Sequence, residues 1–201
     1  MRDPNAIRAE RAGPQHIQSL SALFERSGCS CYCRYWHFDG DKNAWLDRSA
    51  HRREDSQREM ADALAGASEE MRGVVACVDS GVVGWMKLCA AATLSKLYEQ
   101  RIYRKLPCFD GDRSGVLSVG CFLVDPEFRR RKVAEALLER GVELARADGS
   151  RAIEAFPRRA EGVSDGELWM GPLELFLRTG FKEVHDFRPY PVLRLELGVS
   201  A

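Results

Sequence analysis

The chain has 201 residues, enough for one domain with a sizeable core. Its 30 basic and 30 acidic residues cancel, which excludes a global field drawing it to nucleic acid or an anionic membrane. No apolar run reaches the length of a bilayer span, and seven unevenly spread cysteines suit reduced thiols in a cytoplasm better than a disulfide framework.

Met1 to Glu10 is charged and lacks the apolar centre of a secretory signal, so a cytoplasmic protein is expected. Ile7 to Glu10 reads as a short first strand. Pro14 suits a helix start, with Ile17, Leu20, Leu23 and Phe24 on one face, and Ser27-Gly28 ends it. A loop rich in cysteine and aromatic residues follows over 29–41. Asn43 is placed to cap a second helix running from Ala44 to near Gly66. Val74 to Val78 and Val82 to Leu88 are apolar runs, and Asp79-Ser80-Gly81 between them is a hairpin signal.

The mixed pattern of Leu94 to Leu106 predicts a helix, and Phe109 to Asp112 a loop. Val116 to Val124 is the long central strand. Residues 131–147 carry Val133, Leu137, Leu138, Val142 and Leu144 at helical spacing, and Gly149 stops the run. Ala152 to Phe156 is a strand closed by Pro157. Leu168 to Arg178 predicts another helix, and Phe181 to Asp186 and Val192 to Leu197 the final strands. Strand–helix alternation flanking hairpins predicts α/β architecture: a mixed sheet with helices on both faces, and a parallel crossover over 116–155.

The most informative stretch is Arg129-Arg130-Arg131-Lys132-Val133-Ala134. It joins the central strand, through Asp125-Pro126-Glu127-Phe128, to the strongest helix. A strand, a basic turn and a helix start aim backbone N–H groups and the positive helix end at an anion, a phosphate above all. Four consecutive cations also suit a solvated helix start. The apolar strand before them and the Ala134-x-x-Leu137-Leu138 pattern after them favour the phosphate.

Val124 to Leu138 resembles the acyl-CoA signature of the GNAT acetyltransferase superfamily, Arg/Gln-x-x-Gly-x-Gly/Ala between a strand and a helix with paired leucines. Leu175 to Phe181 resembles its second landmark, an aromatic residue shortly before Gly-Phe. Trp36, Gly84-Trp85, Cys121-Phe122 and Glu154-Ala155-Phe156-Pro157 resemble a bacterial subgroup of mostly unassigned substrate. The order of elements fits from Ile7 to Leu197. The resemblance implies a single domain over 1–201, with a mixed, mostly antiparallel sheet splayed at its centre. It implies N-acetyl transfer from acetyl-CoA to a primary amine by direct attack.

It also implies site residues. Backbone groups from Arg131 to Ala134, including Lys132 and Val133, would cradle the coenzyme A pyrophosphate, with Arg129, Arg130 and Arg131 adding charge. The main chain of Phe122, Leu123 and Val124 would pair with pantetheine, and Phe176 would lie at the cofactor. Two departures stand out. Lys132 replaces the usual glycine, with the ordinary φ/ψ of a first helical turn expected for it. Phe176 replaces a tyrosine that protonates the leaving thiolate. Trp169 falls near a cofactor-contacting asparagine and Ser118 at a strand glutamate. A non-catalytic acyl-CoA-binding sensor of the same fold is the alternative.

Glu154 is a carboxylate in an otherwise apolar strand. Partial burial would raise its pKa and suit it as general base; the bland alternative is pairing with an arginine. Cys121 reads better as a small buried hydrophobe than as a nucleophile. Cys29, Cys31, Cys33 and His37 lack the Cys-x-x-Cys spacing of a zinc knuckle, so no metal is assigned. In this superfamily the corresponding loop helps wall the acceptor site, so Tyr32, Tyr35, Trp36, His37 and Phe38 within 28–41 either hold an apolar or cationic acceptor or plug a second core. A small-molecule amine is the expected acceptor, with no nucleic-acid or membrane partner and a homodimer left open.

Overall fold

Period-two and continuous apolar runs become seven strands in one sheet, in the computed structural model, which describes residues 6–79, 81–159, 162 and 168–198. The strands are β1 Arg8–Arg11, β2 Gly73–Val78, β3 Gly81–Ala90, β4 Val116–Val124, β5 Ala152–Ala155, β6 Lys182–His185 and β7 Val192–Glu196. Their order across the sheet is β1-β2-β3-β4-β5-β7-β6. Only β4 and β5 pair parallel; the other neighbours are antiparallel. The β2–β3 hairpin closes through Val78 and Gly81, while Ser80 of its expected turn lies outside the described residues.

The helices are α1 Ile17–Arg26, α2 Lys42–His51, α3 Arg53–Ala65, α4 Ser95–Tyr98, α5 Val133–Ala147 and α6 Leu173–Arg178. Leu20, Leu23 and Phe24 of α1 and Met60 and Leu64 of α3 pack with Val75, Cys77 and Trp85 on one side of the sheet. Leu137, Leu138 and Val142 of α5 pack with Val74, Met86 and Val119 on the other. With both faces covered, β3 and β4 are buried nearly throughout, which is why they read as continuous apolar runs. Helix α5 lies close to the sheet because glycines receive it. A Cβ at Gly84 would sit 2.5 Å from Val133 Cγ1, and one at Gly141 would overlap Met86.

Three helix expectations need correction. The second helix is capped by Asp41, whose Oδ1 accepts from Ala44 N at 2.8 Å, not by Asn43. It is two helices, parted at Arg52, whose φ −139 and ψ 41 leave helical space. Over 94–106 only Ser95–Tyr98 is α-helical. The apolar residues beyond it, Ile102, Tyr103 and Leu106, turn instead into a third cluster with Trp36, Leu97 and Phe156. The helix expected from Leu168 begins at Leu173, because Gly171 at φ 93 and Pro172 with extended ψ hold the chain outside the helix until then.

Candidate functional site

Parallel pairing of β4 with β5 runs only from Val116↔Ala152 to Ser118↔Glu154. Beyond Ser118 the strands diverge, and β4 leaves one edge unpaired by strand. A groove of about 790 Å³ lies at that opening. Phe122, Leu123 and Val124 line it, as do Arg129, Arg130, Lys132, Val133 and Ala134 from the basic turn. The structure thus brings together eight of the ten residues expected to hold the cofactor. It leaves out the other two. The Arg131 guanidinium lies over the Phe128 ring, 5.2 Å from its centroid. Phe176 is fully buried between Phe122 and Phe181 in the core.

The turn is pinned from behind. Buried Asp125 accepts from Arg26 Nε at 2.9 Å and, through Oδ1, from Glu127 N at 3.1 Å. Its own N–H donates to Val83 O at 2.9 Å. Lys132 then corrects an expectation: it is the N-cap of α5 in the left-handed region, φ 62 and ψ 17. A glycine, which the resemblance leads one to expect here, takes this backbone shape without strain; this chain holds it with a lysine. Arg130 is left-handed too, at φ 58. The first N–H groups of α5 have no partner within the helix, and Val133 and Ala134, which carry two of them, line the groove. The Lys132 ammonium is exposed, with Glu135 Oε1 at 3.9 Å.

Two tryptophans occupy the unpaired edge of β4. Trp36 Nε1 donates to Gly120 O at 2.9 Å. Phe122 N donates to Trp169 O at 2.6 Å, so one backbone group expected to meet pantetheine is already satisfied by the protein. The two indoles lie 5.6 Å apart at a 30° tilt. Trp169 lines the groove and also a second chamber of about 500 Å³. That chamber is walled by Tyr35, Trp36, Tyr103, Phe156 and Tyr190, with Arg158 at its lining. The cysteine-aromatic loop therefore divides: Tyr35 and Trp36 face the chamber, while Tyr32 and Cys33 plug the α1–α3 core.

Glu154 does not have the expected environment. It is 0 % exposed and faces neither cavity. Its carboxylate accepts from both Arg113 terminal nitrogens at 2.8 and 2.7 Å, from Arg194 Nε at 3.1 Å and from the Tyr98 hydroxyl at 2.5 Å. Burial favours its neutral form, but the hydrogen bonds from Arg113, Tyr98 and Arg194 outweigh burial and hold its pKa below the usual range. The expected rise is thus reversed. Burial and the Glu154 charge push the Tyr98 hydroxyl well above its usual range, keeping it a donor. Tyr98 also bonds Ser118 Oγ, tying β4 to β5 at their last paired residues.

Sequence reading missed Lys87, Arg113 and Tyr98. Lys87 is fully buried on β3; its Nζ donates to Cys33 O at 3.0 Å and to His37 Nε2 at 2.8 Å. Burial and the Lys87 charge lower the His37 pKa to about 3, so the ring is a neutral acceptor. A lone lysine inside the run Val82 to Cys89 was the available signal. Cys33, although burial opposes it, is lowered to about 6 by Cys121, Lys87 and Trp85. Cys29, Cys31, Cys33 and His37 do not converge on one point. Among the described residues the ligand-type groups that do are Glu10, His16 and Cys77. Among those residues no helix is long and apolar enough to cross a membrane.

The sequence model of the acetyltransferase (GNAT) family matches residues 28–161. No curated protein sequence matches the chain significantly. Among solved structures, the chain is similar to the PaiA N-acetyltransferase of Thermoplasma acidophilum in complex with coenzyme A. That match has 12% identity and a TM-score of 0.55, covering 95% of this chain and 99% of the other. A GNAT family acetyltransferase from Brucella melitensis in complex with acetyl-CoA aligns at 16% identity and TM-score 0.52, over 96% and 90% of the two chains. The ribosomal-protein-S18-alanine N-acetyltransferase of Escherichia coli aligns at 9% and 0.51, over 98% and 97%. These likenesses establish the fold.

Proposed function

The chain belongs to the acetyltransferase (GNAT) family, and from that premise we propose that it transfers an acetyl group from acetyl-CoA to a primary amine. One observation carries this reading: a groove runs from a left-handed basic turn at the start of α5 along Cys121 to Val124, the part of β4 beyond its pairing with β5. The residues fit the cofactor. Arg129, Arg130 and the α5 N-terminal amides would hold the pyrophosphate, a charge-assisted arrangement at a helix N-terminus. The main chain of Leu123 and Val124 would take pantetheine. Acetyl-CoA supplies a thioester whose acyl carbon an amine can attack.

The aromatic chamber beyond Trp169 is our candidate for the acceptor, and of residues 28–41 it is Tyr35 and Trp36 that would meet the acceptor there. Its rings suit an apolar or aromatic amine. Among the described residues its lining is mainly aromatic and holds no carboxylate to pair with a second ammonium, which disfavours a polyamine. Acceleration would come from holding amine and thioester together. Glu154 would serve as the anchor that sets the β4–β5 parting, with water taking the amine proton. No tyrosine stands at Phe176 to protonate the thiolate, so that proton would come from water or from the ammonium.

Clamped Glu154 and buried Phe176 also favour a second reading, a non-catalytic acyl-CoA binder. Steady-state release of coenzyme A against a panel of amines separates the two. Turnover with aromatic amino acids exceeding that with polyamines supports transfer into the chamber. Tight binding of acetyl-CoA with no turnover on any amine supports the binder.

A further inference from the structure

We infer that Cys29 and Cys31 form an oxidation site: a dithiol on the wall of the groove that a hydroperoxide converts to a disulfide. The two sulfurs lie 3.4 Å apart, and both residues are partly exposed. Both line the groove together with Phe122 to Val124.

The local chain holds the pair in place. Gly28 at φ 63 turns the backbone out of α1, and Cys29 N donates to Phe24 O at 2.9 Å. Cys33 N donates to Cys31 Sγ at 3.3 Å. Cys31 sulfur therefore sits between its partner sulfur and an amide. The hydrogen bond from Cys31 lowers the pKa of Cys29, while the same bond and burial raise that of Cys31. Cys29 is then the nucleophile and Cys31 the resolving thiol. A second thiol pair, Cys33 and Cys121, is buried; Cys121 reaches the groove lining but Cys33 does not, so Cys33 is screened from an oxidant in solution.

The chemistry balances with a hydroperoxide as the named oxidant. Cys29 thiolate attacks the terminal peroxide oxygen; the S–O bond forms, the O–O bond breaks, and the alkoxide or hydroxide leaves and takes a proton. Cys31 sulfur then attacks the sulfenic sulfur of Cys29; the S–S bond forms, the S–O bond breaks, and water leaves with the Cys31 proton. Two thiols are oxidised by two electrons and one peroxide is reduced. The sulfurs need only close from 3.4 Å to the ~2.05 Å of a disulfide.

The test treats reduced full-length protein with stoichiometric hydrogen peroxide and follows it by intact mass and thiol counting. Loss of two hydrogens and two free thiols is expected, reversed by dithiothreitol. Cys29→Ser and Cys31→Ser should each abolish the disulfide, while Cys33→Ser and Cys121→Ser should leave it. Phenylarsine oxide, which bridges close dithiols, should form a one-to-one adduct with wild type that blocks the disulfide, and should form none with Cys29→Ser. A disulfide that persists in Cys29→Ser or disappears in Cys33→Ser overturns the assignment. So does a wild type that keeps all seven thiols. A further arm rests on the acyl-CoA reading: saturating acetyl-CoA, whose sulfur is blocked as a thioester and does not react as a thiol, should slow oxidation about tenfold or more. If acetyl-CoA binds by calorimetry and oxidation is not slowed, the dithiol is not on the occupied wall and the inference falls. If acetyl-CoA does not bind at all, the functional reading falls, and the peroxide arms on free protein still decide the dithiol.

Discussion

Lys132 at φ 62 holds a backbone shape that a lysine adopts at a cost of about 1–2 kcal/mol. Lys132→Gly relieves that cost and adds chain entropy to the unfolded state, for a net gain of roughly 0.5–1 kcal/mol. Its coenzyme A affinity should equal or exceed that of wild type in calorimetry. A tenfold loss would instead make the ammonium a phosphate ligand. Glu154→Gln should cost about 3 kcal/mol in urea unfolding, because it leaves Arg113 and Arg194 without their counter-charge at a buried junction. The sign with pH follows from the lowered pKa. The carboxylate stabilises the fold above its unfolded pKa of about 4.3, and that contribution is lost as pH falls through the lower folded value. The variant should lack this acid-sensitive component; an unchanged acid profile would reject the anchor role. Both residues were visible in the sequence as oddities. Their meaning was not, because a positive φ leaves no mark in side-chain pattern, and Arg113 and Arg194 lie 41 and 40 positions from Glu154.

Among the elements, the basic turn is the one whose side chains the fold sorts. Arg130 lines the groove and Arg131 lies on Phe128. Arg130→Ala should therefore weaken coenzyme A binding about tenfold, the worth of one charge-assisted contact. Arg131→Ala should change it less than threefold; equal losses would return the turn to a diffuse basic patch. Trp36 stakes the unpaired edge of β4. Trp36→Phe keeps the ring and removes the donor to Gly120 O, leaving a buried carbonyl unsatisfied at a cost of about 1–3 kcal/mol. Strands were legible as short apolar runs bounded by turns, and the helix over 133–147 by its helical spacing and the glycine after it. The stretches 94–106 and 168–178 were not. The apolar residues of 94–106, with Met170, serve a third cluster reached through turns, while Gly171 and Pro172 delay a helix that Leu173–Arg178 then forms against the main core.

For the whole molecule, the decisive feature is the parting of β4 from β5 after Ser118. The groove, the tryptophan-capped edge and the aromatic chamber all lie around it. The resemblance carried in the residues anticipated the mixed sheet and the strand–turn–helix unit that frames the groove. It did not anticipate that the edge of β4 would be occupied by Trp36 and Trp169, since neither bond follows from spacing. The central claim is that this groove holds an acyl-CoA. Calorimetric titration of acetyl-CoA into wild type and into an Arg129→Ala, Arg130→Ala double variant, with fold checked by circular dichroism, tests it most directly. Stoichiometric binding to wild type and at least tenfold weaker binding to the folded variant are expected. No binding to wild type, or equal affinity in both, would contradict it.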